Sequence, residues 1–241
     1  MLSLDVQGAN RQSVGVQDAN RQSVSVQGYE TRKQAFEIGQ FKGSLRVLKD
    51  KSQYADDSGE AERAGICSAS WSLFGVLWPA SKVLATKIKH IELNNRRILE
   101  LGCGLGLPSL TLQYRDADIT ASDYHPESQD FLDYNARLNQ LPTIPFLQLD
   151  WNNPHGPRQE YDLIIASDLL YDPGHPKLLM NAIQYLAKPH AKVLFSCPGR
   201  GYKNLFSRKM ASLGFELEET AVAFNEDEPA PYKGRLLTYR R

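Results

Sequence analysis

From residue 97 onwards, short apolar runs alternate with segments whose apolar residues recur at helical spacing. Arg97–Leu101 and Tyr161–Ser167 are the clearest apolar runs, and the amphipathic segment Ser128–Leu138 lies between them. A helix that connects two such strands carries the chain back across the sheet, so the strands run parallel. The alternation therefore predicts an α/β fold, in which helices cover both faces of a mostly parallel sheet and two further strands end the chain.

The remaining elements are predicted from the same pattern. Pro79 stands where a helix begins, and Val83, Leu84, Ile88 and Ile91 follow it on one face. Segment 36–47 predicts one or two strands, and 55–65 predicts a loop. Further strands are predicted over 119–122, 145–149, 192–196, 215–224 and 236–239, and further helices over 108–114, 178–186 and 205–213.

A ten-residue repeat precedes this pattern. Residues 6–14 and 16–24 are identical except that Gly8 in the first copy is Asp18 in the second, and residues 26–28 begin a third copy. So short and polar an array cannot bury a core. We therefore expect a disordered tail over residues 1–33 and one folded domain over residues 34–241.

Composition limits the classes of partner and the compartment. Lys and Arg together number 28, as do Asp and Glu, so no excess of positive charge favours nucleic acid. The three cysteines are far apart and have no spacing typical of a disulfide framework or a zinc site. No stretch approaches the roughly 18 apolar residues that span a bilayer. We expect a cytoplasmic, monomeric protein, with no metal, no membrane and no nucleic acid as partner.

A glycine-rich turn follows the first strand of the alternating region. Gly102, Gly104 and Gly106 permit positive φ and close approach of a ligand, and Asp123 ends the next strand, 21 residues beyond Gly102. An acid at that spacing accepts hydrogen bonds from a ribose diol. The dinucleotide fingerprint G-x-G-x-x-G fails here, since Leu107 occupies its third glycine position. The turn and the acid together predict a nucleoside cofactor.

Glu100 narrows the choice of cofactor. It lies two residues before the turn, where a carboxylate repels a pyrophosphate but either attracts the ammonium of a methionine moiety or orients the turn. An acidic pocket suits a cationic sulfonium compound.

These residues are part of a larger set of motifs. The set comprises LWPA at 77–80, LELGCGLG at 99–106, Asp123, LDW at 149–151 and SDLLY at 167–171. It resembles the family-16 branch of the seven-β-strand (class I) methyltransferases, many of which are protein-lysine methyltransferases. The resemblance covers about residues 36–241 and implies a Rossmann-like, mostly parallel seven-stranded sheet with a C-terminal antiparallel strand pair.

The resemblance also implies the roles of individual residues toward S-adenosylmethionine. The three glycines would carry the turn under the methionine part, with Glu100 beside them, and Asp123 would hold the ribose hydroxyls. Asp150 and Trp151 would flank the adenine, Trp78 would approach from the N-terminal segment, and Ser167 would contact the cofactor from the fourth strand. Each tryptophan also has packing as an alternative role.

Asp168 and Tyr171 match the D/E-x-x-Y/F signature of such lysine methyltransferases. An unperturbed lysine, with a pKa near about 10.4, is almost wholly protonated at neutral pH and must lose a proton before methylation. A carboxylate at Asp168 attracts the ammonium, and the ring of Tyr171 holds it by cation–π attraction. The N/D-P-P-Y/F motif typical of amide and exocyclic-amine methylation is not present at this position. Helix capping by Asp168 and packing by Tyr171 are the structural alternatives.

We therefore predict methylation of a lysine side chain on a protein substrate. Three alternatives stay open at this point. They are methylation of a small-molecule amine, a non-catalytic module that binds the cofactor, and a nicotinamide-dependent oxidoreductase, which the glycine spacing disfavours.

Overall fold

A computed structural model describes residues 29–53, 56, 59–224 and 232–241 of the chain. The strands are β1 (Thr31–Ile38), β2 (Phe41–Leu48), β3 (Arg97–Leu101), β4 (Asp118–Asp123), β5 (Phe146–Gln148), β6 (Tyr161–Ser167), β7 (Ala187–Cys197), β8 (Glu216–Phe224) and β9 (Tyr232–Arg240). The helices are α1 (Glu60–Ala64), α2 (Ser68–Trp71), α3 (Pro79–Ile88), α4 (Leu107–Gln113), α5 (Ser128–Leu138), α6 (His175–Leu186) and α7 (Lys203–Ser212), and a 3₁₀ turn at Ser72–Gly75 follows α2.

Seven of the described strands form one sheet in the order β5-β4-β3-β6-β7-β9-β8. The pairs from β5 to β7 are parallel, whereas β9 pairs antiparallel with both β7 and β8. This confirms the predicted α/β architecture with its C-terminal antiparallel pair. The sheet begins with β3, the chain builds outward from it through β4 to β5, and it then returns to the other side of β3 to form β6. The strand order therefore reverses beside β3, which is where open α/β sheets bind ligands.

Apolar side chains cover the sheet on both faces. Ile98 in β3 belongs to one buried cluster, which includes residues of α3, α4 and α5, and Leu99 and Leu101 belong to the opposite cluster, which includes residues of α6 and α7. Adjacent residues of a strand point to opposite faces, so a strand buried on both sides reads as a continuous apolar run. This is why RILEL and YDLIIAS could be recognised as strands from the sequence.

A separate hairpin of β1 and β2 packs against α5. The backbone N–H of Arg46 donates to Oδ1 of Asn135 over 2.7 Å, and that of Ser44 donates to Oδ1 of Asn139 over 3.0 Å. The Arg46 guanidinium lies over the rings of Phe131 and Tyr134. Two helix amides thus satisfy backbone groups on β2 and fix the hairpin to the domain.

The hairpin corrects the expected start of the folded domain. Thr31–Lys33 belong to β1 and pair with Leu48–Arg46, and Tyr29 is 1% exposed. The predicted boundary at residue 34 is therefore too late, because the exposed, polar Arg32 and Lys33 masked the start of the strand. The decapeptide repeat lies outside the described residues.

Two further differences concern short elements. Segment 55–65 contains the short helix α1 within its described part, and α2 with the following 3₁₀ turn was not predicted. Their packing explains their formation, since Trp71 and Phe74 are buried in the core. No helix within the described ranges has the length and apolar character needed to cross a bilayer.

Candidate active site

The carboxyl ends of β3 to β7 bring most of the predicted site residues to one edge of the sheet. The glycine turn follows β3, Asp123 ends β4, Asp150 and Trp151 follow β5, and Ser167 and Asp168 lie at the end of β6. Parallel strands end on the same side of a sheet, so residues far apart in the sequence meet along one rim.

Glycine is required in the turn between β3 and α4. Gly102, Gly104 and Gly106 have φ values of 58°, 51° and 76°, in the left-handed region. A Cβ on Gly104 would lie 2.9 Å from the carbonyl oxygen of Phe74, and one on Gly106 would lie 2.3 Å from Cδ1 of Leu132. These three positions therefore have no room for a larger residue, because neighbouring protein atoms already occupy the space that a Cβ would take.

Asp123 is bonded to this turn through its side chain. Its Oδ2 accepts the N–H of Gly104 over 2.7 Å, and its Oδ1 accepts the N–H of His125 over 2.9 Å. Burial raises the pKa of the carboxyl, and these backbone donors oppose that shift. A carboxylate has about four lone-pair positions, so the two backbone donors leave others for a diol.

Glu100 is buried at the base of the turn and is 1% exposed. Its Oε2 accepts hydrogen bonds from the backbone N–H and the hydroxyl of Ser109 in α4, which ties that helix to β3. Burial, with a smaller contribution from the negative charge of Asp123, raises the pKa of Glu100 to about 8. A carboxyl that is mostly protonated at pH 7 attracts an ammonium weakly, so these contacts favour orientation of the turn over direct attraction.

Asp150 and Trp151 form the far end of the rim. Oδ1 of Asp150 accepts the N–H of Asn152 over 2.8 Å, which shapes the loop after β5. The rings of Trp151 and His175 pack edge-to-face with their centroids 5.4 Å apart. The ring of Tyr171 also packs edge-to-face against His175, with a centroid distance of 4.6 Å. Within the described part of the chain, the buried Nε1 of Trp151 has no hydrogen-bond partner.

A cavity of about 450 Å³ opens between the start of α3 and the loop after β7. Trp78, Asp168, Arg200 and Tyr232 are among the residues that line it. Trp78 precedes the first turn of α3, and its Nε1 donates to the carbonyl oxygen of Leu73 over 3.0 Å. The cavity thus joins Trp78, taken as a cofactor residue from sequence, to Asp168, taken as an acceptor residue.

Asp168 is held from two sides in this cavity. Its backbone has a φ of 54°, and its N–H donates to the carbonyl oxygen of Ser196 over 2.8 Å. Arg200 donates to both carboxylate oxygens, with Nε–Oδ1 at 2.9 Å and Nη2–Oδ2 at 3.0 Å. Capping of the next helix, the alternative role for Asp168, is not among its side-chain contacts, because α6 begins seven residues later with Gly174 before it.

Tyr171 and Ser167 are less closely engaged. Tyr171 is 44% exposed and is not among the residues that line the cavity, although it lies on the same loop as Asp168. Ser167 is partly buried and stands opposite Ser196 on β7. The structure therefore brings Asp168 into the cavity and leaves Tyr171 at its outer side.

Sequence reasoning missed the side of the cavity formed by Pro198, Gly199, Arg200 and Tyr232, of which Arg200 and Tyr232 have polar side chains. Arg200 lies in the loop Pro198–Gly201, and Tyr232 begins β9, where its hydroxyl is 3.2 Å from the hydroxyl of Ser196. Neither belongs to a motif. The only available signal was the position of Arg200 just after a strand of the parallel sheet, which is where ligands bind.

Comparison with known proteins gives a family match. A family model described as lysine methyltransferase matches residues 68–211. The protein N-lysine methyltransferase METTL21A of Danio rerio is 28% identical over 141 residues, which cover 54% of this chain and 64% of that protein. The protein-lysine methyltransferase METTL21E of Bos taurus is 32% identical over 161 residues, which cover 60% of this chain and 54% of that protein. The chain thus spans less than two thirds of the length of these curated relatives.

A solved structure shares the fold. The crystal structure of P. horikoshii TYW2 in complex with MeSAdo aligns with a TM-score of 0.55 at 15% identity, covering 89% of this chain and 72% of that one. At this identity the likeness concerns the fold alone, and it agrees with the α/β sheet described above.

Proposed function

Since the chain belongs to the lysine methyltransferase family, we propose that it transfers a methyl group from S-adenosylmethionine to a lysine side chain of another protein. The family match confirms the resemblance drawn from the sequence motifs. The observation that carries the proposal is the position of the Asp168 cavity beside the rim that holds the glycine turn and Asp123.

The residues present fit this cofactor. Asp123 is fixed against the glycine turn, where its carboxylate would accept from the ribose hydroxyls, and the buried indole N–H of Trp151, beside the proposed adenine position, has no partner among the described residues. Asp150 would accept from the adenine amine, while Trp78 and Ser167 would line the remaining sides. When bound, S-adenosylmethionine supplies an electrophilic methyl group on a positively charged sulfur.

The chain's own residues would position the acceptor. Asp168 would accept hydrogen bonds from the lysine nitrogen inside the cavity, and Tyr171 would contact the side chain at the outer side. With its lone pair free, the amine would then face the methyl group that the bound cofactor would supply. Holding the nitrogen and the methyl carbon in line supplies much of the acceleration.

Location and assembly belong to the same proposal. The free thiols of Cys67, Cys103 and Cys197 suit a reducing, cytoplasmic compartment. We also propose that the protein acts as a monomer.

A transfer assay tests the proposal. The protein is incubated with heat-treated cell lysate and tritiated S-adenosylmethionine, and the protein fraction is then hydrolysed and analysed for labelled methyl-lysine. We expect label in methyl-lysine and none with the Asp123→Ala variant. Label confined to small metabolites would show that the acceptor is a small-molecule amine, and label in another amino acid would overturn the lysine assignment.

A further inference from the structure

The Asp168 carboxylate already has a cationic partner in the cavity where the proposed acceptor enters. Arg200 contacts both of its oxygens in a two-pronged arrangement, and the side chain of Asp168 is only 10% exposed whereas that of Arg200 is 42% exposed. Such planar, two-pronged pairs are strong and geometrically specific. An ammonium that enters the cavity therefore meets a carboxylate whose charge is already compensated.

The ion pair of Asp168 and Arg200 can still accept a hydrogen bond from a neutral amine. A carboxylate has about four lone-pair positions, of which Arg200 occupies two. A neutral amine can donate an N–H to one of the others and still keep its own lone pair for reaction. A protonated amine gains little, because the pair carries no net charge and the guanidinium repels it.

The lining of the cavity itself adds no net charge to the pair, and the carboxylates of Asp123 and Asp172 act on Tyr171, which is not part of that lining. Of the described residues that line the cavity, Asp168 and Arg200 carry the charge, and Trp78, Pro79 and Pro198 form uncharged walls. The other titratable groups that face the pair come from the loop after β6, from β4, β7 and β9, and from α7; they are Tyr171, Asp172, Asp123, Cys197, Tyr232 and Lys203.

Burial raises the pKa of Tyr232 to about 12 and raises the pKa of the Cys197 thiol. The pKa of Tyr171 is raised by desolvation and by the nearby carboxylates. Hydrogen bonding to Asp168 raises the pKa of Arg200, so the guanidinium remains charged.

We propose that Arg200 is a positioning residue that makes the cavity select the neutral form of the acceptor amine at Asp168. The inference rests on the proposed function, since it takes the cavity as the acceptor site. It assigns to Arg200 the role of lowering the pKa of the bound lysine, and it makes Asp168 a hydrogen-bond acceptor for an uncharged amine instead of a counter-ion for an ammonium.

Binding of n-butylamine, which has the chemistry of a lysine side chain, tests this. Ligand-observed NMR measures its dissociation constant at pH 7.5 and 9.5, with the full chain saturated with S-adenosylhomocysteine. The neutral fraction of an amine with a pKa near about 10.4 rises roughly 100-fold over this range. For the wild type we expect the affinity for total amine to rise by at least about tenfold, as selection of the neutral form requires.

Variants of Arg200 distinguish an effect of its positive charge from an effect of lost structure. Arg200→Gln removes the charge, and we expect it to bind the amine about tenfold more tightly than the wild type at pH 7.5 and to lose most of the pH dependence. Arg200→Lys keeps the charge and should follow the wild type. Arg235→Gln is the matched control, because Arg235 is a similarly exposed arginine whose Nε lies 2.8 Å from Glu219 outside the cavity.

Three results would overturn the inference. They are an Arg200→Gln variant with the pH dependence of the wild type, loss of its binding at both pH values, and failure of every variant to bind n-butylamine although each binds S-adenosylhomocysteine. None of these results bears on the proposed function, which depends on the appearance of labelled methyl-lysine in the transfer assay.

Discussion

The backbone N–H of Gly104 donates to Oδ2 of Asp123 over 2.7 Å, so the turn after β3 and the acid at the end of β4 form one bonded unit. The same carboxylate accepts the N–H of His125 through Oδ1. Two loops that belong to different strands thus share one carboxylate. The geometry of the proposed ribose site therefore depends on the charge of Asp123 as well as on its position.

Asp123→Asn should weaken cofactor binding. An amide offers one acceptor oxygen in place of two, so it cannot accept from both backbone donors and from a ribose diol. Hydrogen bonds to a charged group contribute about 1.5–3 kcal/mol, so we expect S-adenosylhomocysteine to bind about 10- to 100-fold more weakly by calorimetry. Asp118→Asn, at the other end of the same strand, is the control and should bind as the wild type does. Equal affinities for the two variants would contradict the assignment.

Gly104→Ala should destabilise the fold and the site together. The added Cβ would lie 2.9 Å from the carbonyl oxygen of Phe74, at a φ of 51° that alanine adopts at a cost. Strain of this kind costs about 1–3 kcal/mol, which thermal denaturation should detect as a lower Tm. Gly201→Ala is the control, because its added Cβ meets no atom within 4 Å. A Tm for Gly104→Ala equal to that of the control would show that the turn adapts.

The sequence predicted the elements of the sheet that are buried on both faces. Arg97–Leu101, Tyr161–Ser167 and Ser128–Leu138 have the bounds expected of them, because continuous apolar runs and helical periodicity come directly from burial. The start of β1 was missed, since its exposed face is polar. The segment Ser68–Gly75 was also missed, because tertiary packing of Trp71 stabilises it and no periodicity marks it.

The candidate site likewise contains some residues that could be predicted from the sequence and others that could not. The glycine turn and Asp123 could be found because local spacing fixes where their side chains lie. Arg200 could not, because its contact with Asp168 spans 32 residues and exists only when β6 and β7 are neighbours in the sheet. The role of Glu100 in holding α4 could not be predicted either. It depends on burial of the carboxyl in the fold, and the sequence shows only that an acidic residue is present, not how far water reaches it.

Glu100 should make the stability of the protein depend on pH. Its folded-state pKa is raised to about 8, so the folded state binds a proton that the unfolded state releases above its ordinary value of 4.5. The free energy of unfolding contributed by this group is therefore full below pH 4.5 and is lost as the pH rises toward 8, by at most about 5 kcal/mol. Glu100→Gln, which cannot titrate, should lose this component of the pH dependence in urea denaturation between pH 5 and 8.

The comparison for Glu100 is between the two pH profiles, since other groups titrate in both proteins. Glu100→Asp changes the length of the side chain and keeps the acid, so it should retain part of the dependence. Parallel profiles for the wild type and Glu100→Gln would mean that the buried carboxyl stays ionised in the folded protein.

Asp168→Asn should separate catalysis from cofactor binding. Asparagine tolerates the left-handed backbone that Asp168 adopts, with its φ of 54°, so the substitution removes the charge without adding much backbone strain. Arg200 then loses its ionic partner, and the acceptor loses one of the lone pairs that would orient it.

We expect methyl transfer by Asp168→Asn at pH 7.5 to fall by about 100-fold, the effect of misplacing a reacting group, while S-adenosylhomocysteine binds within about threefold of the wild type. Asp172→Asn is the matched control, because Asp172 is an exposed carboxylate on the same loop whose Oδ1 accepts the N–H of Gly174 over 2.7 Å. Unchanged transfer by Asp168→Asn would remove this carboxylate from the proposed acceptor site, and a parallel loss of cofactor affinity would assign it to the cofactor side of the rim.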